Sequence, residues 1–211
     1  MPEKAAQKEP GKKPVPSKKP KPQQEVVVQI PLSELHPFPD HPFQVREDAS
    51  MQETAESVKE YGVLVPALAR PREDGGYELI AGHRRKHACE LVGLATMPVI
   101  VRDIDRDAAT IIMVDSNLQR ENILPSERAK AYKMKMEAIK RQGARTDLTS
   151  PKISAKFRSD DEVGQDAGVS GDTIRNYIAL TQLVPELQQM VDEKKIALSP
   201  AYQLAALTPK E

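Results

Sequence analysis

Apolar positions follow two rhythms along this chain. Between residues 25 and 123, short aliphatic runs alternate with segments of helical spacing; beyond residue 124 only the helical spacing continues. EVVVQIPL (25–32) predicts a strand, and HPFPDHPFQVRED (36–48), broken by three prolines, predicts a loop. MQETAESVKEYG (51–62) predicts a helix closed by Gly62. VPALARPR (65–72) and GYELIA (76–81) predict two strands joined by a turn at Asp74-Gly75-Gly76. A helix over 83–92 stopped by Gly93, a strand over 96–103 and a helix over 105–119 follow. LPSERAKAYKMKMEAIKRQG (124–143) predicts a longer helix, with Ser126 as its N-cap and Gly143 at its end. ARTDLTSPKIS (144–154), polar and interrupted by Pro151, predicts a linker. The chain is therefore expected to be α+β, a small mixed-sheet domain followed by an all-helical one. The expected divisions are a tail over 1–24, a first domain over 25–123 and a helical domain over 124–211.

Within the helical part, DDEVGQDAGVSGDTIRNYIALTQL (160–183) has the layout of a helix-turn-helix. A first helix runs from about Asp160 to Ala167, Gly168-Val169 makes the turn, and Ser170 caps the second helix. Val163, Ala167, Val169, Ile174 and Ile178 fall where two crossing helices must bury apolar groups, and Gly164 is small where they approach. The second helix is expected to present Ser170, Gly171, Asp172, Thr173, Arg175 and Asn176 to DNA. Arg175 and Asn176 suit bidentate contacts with guanine and adenine edges. Lys140, Arg141, Arg145, Lys152, Lys156 and Arg158 precede them and suit phosphate contacts. The bland alternative is a helical hairpin with charged outer faces.

Composition sharpens this picture in three places. Formal net charge is zero, but residues 1–24 carry seven lysines against two glutamates, a net +5 that the remainder balances with −5. That segment, rich in Lys, Pro, Gln and Glu, has almost nothing to bury and is expected to be a disordered basic tail. A single cysteine, Cys89, excludes an intrachain disulfide. No apolar run approaches the roughly 18–20 residues of a membrane span, and the amino terminus has no signal-peptide core, so a cytoplasmic protein is expected.

The stretch ELIAGHRRKHACEL (78–91) packs two arginines, a lysine and two histidines behind one glycine. At a helix start the backbone amides are unpaired and carry partial positive charge. Gly82 lets an anion approach, and Arg84 and Arg85 add charged forks, the ingredients of a phosphate cradle without the GxxxxGK[ST] of a Walker loop. His83 and His87 share a helix face with Glu90 nearby, but three cations stand between them and the glutamate of an HExxH zinc helix is missing. The stretch alone fits equally well a surface helix whose arginines pair with Glu78 and Glu90.

Two further stretches break that tie. HPFQVRED supplies Gln44 and Arg46, and MVDSNLQRENILPSERA (113–129) supplies Asn117, Gln119 and Arg120. With Pro42-Phe43-Gln44-Val45-Arg46, Tyr61-Gly62-Val63-Leu64-Val65-Pro66, Gly82-His83-Arg84-Arg85, MPVIVR and Ser116-Asn117-Leu118-Gln119-Arg120-Glu121-Asn122-Ile123 in this order, residues 25–207 resemble the ParB-type partition proteins. The resemblance implies a ParB/sulfiredoxin-like first domain that binds CTP and Mg²⁺, and a helix-turn-helix domain that binds a palindromic site in double-stranded DNA. It implies a homodimeric, nucleoid-associated centromere-binding protein of a plasmid, chromosome or mobile element, closing as a CTP-gated clamp. A ParA-type ATPase would be its partner through the basic tail. Carried over by motif, Gln44, Arg46, Gly82, His83, Arg84, Arg85, Asn117, Gln119 and Arg120 would line the nucleotide pocket, with Asn117 beside the metal.

Two positions depart from the family's pattern: His83 and Ser116 stand where it has glutamates. A serine is a weaker ligand for a hard cation than a carboxylate. Asp115 is one residue away but about 100° round the helix. The resemblance therefore implies nucleotide binding more firmly than hydrolysis, and at most a weak CTPase. A sulfiredoxin is excluded by Gly82 standing in the place of that family's cysteine, with Cys89 about two turns away. A small-molecule kinase would need Asp115 or Glu121 as its carboxylate. A transcriptional repressor or nucleoid-occlusion factor of the same family is the closer alternative.

Overall fold

The computed structural model describes residues 25–120, 122–147 and 159–207. Its first part is a five-stranded mixed sheet: β1 (Val27–Pro31), β2 (Leu35–Pro37), β3 (Ala67–Pro71), β4 (Tyr77–Ala81) and β5 (Thr96–Val101), in the order β1-β5-β3-β4-β2. β1 runs antiparallel to β5, β3 parallel to β5 and antiparallel to β4, and β2 parallel to β4. The proline-rich stretch is thus not wholly loop. His36 and Pro37 form a strand at the sheet edge, where a proline without an N–H is tolerated.

Helices cover both faces of the sheet. On one side lie α1 (Ala49–Tyr61) and α2 (His83–Leu91), over a core that includes Met51, Val58, Leu79, Cys89 and Val99. On the other lie α3 (Arg106–Leu118) and the start of α4 (Pro125–Asp147), over Phe38, Phe43, Ile80, Met113 and Val114. Successive strand side chains point to opposite faces, which is why neighbours Leu79 and Ile80 belong to different cores. Caps define the boundaries. Asp48 accepts the Met51 amide at the start of α1, and Asp105 accepts the Ala108 amide at the start of α3.

α4 departs from expectation at both ends. Ser126 is not its N-cap. It lies inside the first turn, where its N–H and hydroxyl both donate to the Asp192 carboxylate, at 2.9 and 2.5 Å. The helix also runs through Gly143 to Asp147, since one helical glycine costs only about 1 kcal/mol relative to alanine.

Four short helices follow: α5 (Ser159–Ala167), α6 (Gly171–Ala179), α7 (Pro185–Asp192) and α8 (Leu198–Leu204). They pack on α4 in two clusters, one around Val163, Ile174 and Tyr132, the other around Ala129, Leu180, Leu183, Val191 and Ala201. Tyr132, Tyr177 and Tyr202 link the clusters edge to face, at 5.7 and 6.2 Å. α4 is thus a shared wall, against the sheet domain on one side and the helical domain on the other. Among the described residues no helix is long and apolar enough to cross a membrane.

Candidate functional site

The loop after β2, the amino terminus of α2 and the carboxyl end of α3 converge on two adjoining cavities. One, of about 340 Å³, is lined by Gln44, Arg46, Asp48, Arg84, Arg120 and Glu127, among others. The second, of about 220 Å³, is lined by His41, Gly82, His83, Arg85, Ser116 and Asn117, and shares Phe43, Arg84 and Arg120 with the first. Three guanidinium groups from three distant segments thus meet in one hollow.

Gly82 builds its floor. Its φ of +113° is unsuited to other residues, and a Cβ there would lie 2.8 Å from the Cβ of Ala67. The glycine turns the chain from β4 into α2 with the first amides of the helix left unpaired beside the arginines.

The arginines differ in availability. Arg84 donates to the Ser50 hydroxyl at 3.0 Å and lies 3.8 Å from Asp48, while Arg46 lies 3.6 Å from Glu127. These carboxylates neutralise the arginines from beyond hydrogen-bond length, so most of the guanidinium donors remain open to an incoming anion. Arg120 donates to Asn117 Oδ1 at 3.4 Å. Arg85 is committed elsewhere: its Nη1 donates to the carbonyls of Val65 and Pro66, at 2.5 and 2.6 Å, and pins the loop leading into β3. Gln119 is exposed at the end of α3 and lines neither cavity. The carboxylates offered to these arginines by the salt-bridged alternative have other partners. Glu78 is buried against Arg70 at 2.5 Å, and Glu90 pairs with Lys86 and His87.

His83 is not a surface residue. It stacks on His41 with ring centroids 4.0 Å apart, and the Nε2 atom of each ring is buried without a hydrogen-bond partner. His41 Nδ1 lies 2.7 Å from the Phe43 carbonyl, so that nitrogen carries the proton. Burial pushes the His83 imidazole down to about 3, helped by His41 and Lys86, and lowers His41 in the same way. Both rings are neutral at physiological pH and add no charge to the hollow.

A divalent cation finds few protein ligands here. Ser116 and the Asn117 amide both donate to the Met113 carbonyl, at 3.0 and 2.8 Å. Asp115 faces α4, where it accepts from Lys135 at 2.6 Å. Among the described residues no group of three or more His, Cys, Asp or Glu is placed to hold a metal. The donor set suits an anion and does not suit an Mg²⁺ ion held by protein carboxylates. Glu127 had no signal in the sequence reading. It stands 83 residues from Gln44 in the chain, and only the tertiary fold brings its carboxylate to the cavity wall.

The helix-turn-helix is formed as α5, a turn at Gly168 (φ +68°) and α6. Ser170 caps α6 by accepting the Thr173 amide at 3.2 Å. Gly164 is required at the crossing: a Cβ would meet the Val169 carbonyl at 2.6 Å. Val163 and Ile174 are fully buried and Ala167 and Ile178 partly, whereas Val169 is exposed, its backbone rather than its side chain serving the turn. Asp172, Arg175 and Asn176 lie on the open side of α6, and Thr173 is half-buried. Gly171 is buried against α5 and presents nothing outward. Arg175 does not project freely; its fork bridges Asp160 on α5 and Asp172 on α6. Arg141 is paired with Asp107. Lys152, Lys156, Arg158, Glu121 and the basic tail lie outside the described residues.

A mixed-sheet domain with an arginine-lined hollow, joined to a helix-turn-helix by a shared helix, defines a class of two-domain helix-turn-helix protein. The sequence matches the model of the ParB N-terminal domain over residues 16–118 and that of the ParB HTH domain over residues 151–211. The chain belongs to the ParB family. It is 34% identical over 186 residues to the chromosome-partitioning protein Spo0J of Thermus thermophilus, covering 88% of this chain and 62% of that one. It is 30% identical over 184 residues to a nucleoid occlusion protein of Halalkalibacterium halodurans, covering 87% and 59%. Among solved structures, the C-terminally truncated ParB of Caulobacter crescentus complexed to the centromeric parS site is 27% identical, with a TM-score of 0.55 over 86% of each chain. The chain thus spans about three-fifths of the length of these curated relatives.

Proposed function

We propose that this chain is a sequence-specific, centromere-binding partition protein whose DNA grip is gated by CTP. The observation that carries the reading is the convergence of Arg46, Arg84 and Arg120 on one hollow whose wall, α4, also supports the helix-turn-helix. The triphosphate is inferred from the arginines and the α2 amino terminus; the cytosine base follows from family membership. Arg46, Arg84 and Arg120 take the phosphates, Gly82 allows backbone approach, and neutral His83 fills the position behind them. Asn117 would be the residue beside an Mg²⁺ ion that accompanies the nucleotide. Ser116 stands at the end of α3 in place of a carboxylate, so the reading puts binding and closure ahead of turnover.

On the DNA side, Ser170, Asp172, Thr173 and Asn176 read base edges from α6, and Arg175 reads from a fork set by its two aspartates. Lys156 and Arg158 contact phosphates. A homodimer on a palindromic site, a ParA-type ATPase bound through the lysine-rich tail, and a cytoplasmic, nucleoid-associated location complete the reading. Likeness to a nucleoid occlusion protein favours a second reading, a nucleoid-occlusion factor of the same family. Loss of element inheritance on deletion would point to partition, and division or transcription defects alone to the second reading.

Unbiased selection of duplex DNA sites, run with and without CTP, tests the proposal. One enriched palindrome whose retention changes with CTP is expected. Random enrichment would refute sequence-specific binding, and identical outcomes with and without CTP would refute gating.

A further inference from the structure

The start of α4 makes side-chain contacts with both halves of the molecule. Ser126 donates twice to Asp192 at the end of α7. Glu127 turns the other way, to the cavity: its Oε1 accepts the Gln44 amide at 3.1 Å and lies 3.6 Å from Arg46, while its Oε2 accepts the Leu124 amide at 3.2 Å. Arg128 sits over the ring of Tyr177 on α6, 5.7 Å from its centroid. Ala129 is buried among Leu180, Leu183 and Val191.

We propose that Glu127 is a positioning residue that joins the occupancy of the arginine-lined cavity to the attitude of α6. The inference rests on the nucleotide and DNA reading above. Glu127 is 7% exposed, and its carboxylate is shared between the loop carrying Gln44 and Arg46 and the amino terminus of α4. An anion that draws Arg46 inward competes directly with Glu127 for that guanidinium. The Gln44 amide bond then carries the movement of the loop onto α4. Arg128, the next residue, passes it to Tyr177, which lies in the same turn of α6 as Asn176 and Arg175. A carboxylate shared by two backbone donors and a cation is not easily replaced, because each donor left behind loses its acceptor. The coupling is reciprocal: DNA on α6 must alter the cavity loop as much as an anion in the cavity alters α6.

The test measures DNA affinity on the selected site with and without CTP, and amide hydrogen exchange at Gln44 with and without DNA. In the wild type, CTP should change DNA affinity by about fivefold or more, and DNA should change Gln44 protection. Glu127→Gln keeps one acceptor and loses the charge, and Arg128→Ala cuts the other arm without touching the cavity. In both, the CTP effect should shrink toward onefold and the DNA effect on Gln44 should vanish, with thermal unfolding still cooperative. An undiminished CTP effect in both variants would overturn the proposal. If CTP gives no binding heat with the wild type, the nucleotide reading falls by itself. The Gln44 response to DNA then decides the junction: present and lost in both variants supports it, and absent in the wild type refutes it.

Discussion

Asp115 Oδ1 lies 2.6 Å from Lys135 Nζ, and the lysine side chain is 1% exposed while the aspartate is 46% exposed. The pair ties α3 to α4 and turns the Asp115 carboxylate away from the cavity. Removing a partner from a buried charge is costly, since the charge stays behind desolvated.

Asp115→Ala should therefore lower unfolding free energy by about 1–3 kcal/mol, with Asp115→Asn recovering part of it by accepting from the ammonium. Urea denaturation followed by circular dichroism measures both. Equal stability of the alanine variant and the wild type would show that the pair does not hold the two helices together.

Arg84 and Arg85 are adjacent but should behave oppositely. Arg84→Ala removes open donors from the cavity and should weaken CTP binding by tenfold or more, given about 1.5–3 kcal/mol for a hydrogen bond to a charged group. Arg85→Ala removes the two hydrogen bonds to the Val65 and Pro66 carbonyls and should lower the melting temperature more than Arg84→Ala does. Calorimetric titration and a thermal melt on the same two proteins separate the roles.

Protonating His83 requires charging a buried ring, so its folded value of about 3 lies below the unfolded value near 6.5. The unfolded chain binds the proton first. The stabilising contribution is complete above about pH 6.5 and is lost as pH falls toward 3, at no more than about 1.4 kcal/mol per pH unit for one group. Melting temperature should fall between pH 6 and pH 4 more steeply in the wild type than in His83→Gln. Parallel slopes would mean that the ring is not held neutral by the fold.

Gly164→Ala places a methyl 2.6 Å from the Val169 carbonyl, a contact with backbone that no rotamer relieves. The turn between α5 and α6 must open, at about 1–3 kcal/mol. Stability and affinity for the selected DNA site should drop together, while CTP binding by the first domain is retained.

Arg175→Ala should cost about 1–3 kcal/mol on the selected site and relax preference at the bases nearest α6. Arg175→Lys keeps the charge but cannot bridge Asp160 and Asp172 with one ammonium, so it should recover affinity without recovering preference. Gel-shift titrations on matched and single-base-substituted sites read out the difference.

Much of this molecule is local and so was legible in the chain. Strand and helix periods, the stops at Gly62 and Gly93, the caps of the helix-turn-helix and the small Gly164 each depend on residues within a few positions of one another. Local rules misjudged α4. The tertiary contact between Ser126 and Asp192 overrode a good N-cap residue, and one glycine was too small a cost to stop the helix at Gly143. They also grouped Arg84 with Arg85 by adjacency, although successive helical residues point about 100° apart and Arg85 is held by the Val65 and Pro66 carbonyls.

By itself the sequence determined the α+β order of elements, the helix-turn-helix and the motifs that align with a family, because these are written in spacing and residue type. Only the tertiary structure decided which cations stay open to a ligand, that His83 is a buried neutral ring against His41, and that Glu127 joins the loop to α4. Those outcomes depend on desolvation and on contacts between residues up to 83 positions apart, and no local pattern encodes either.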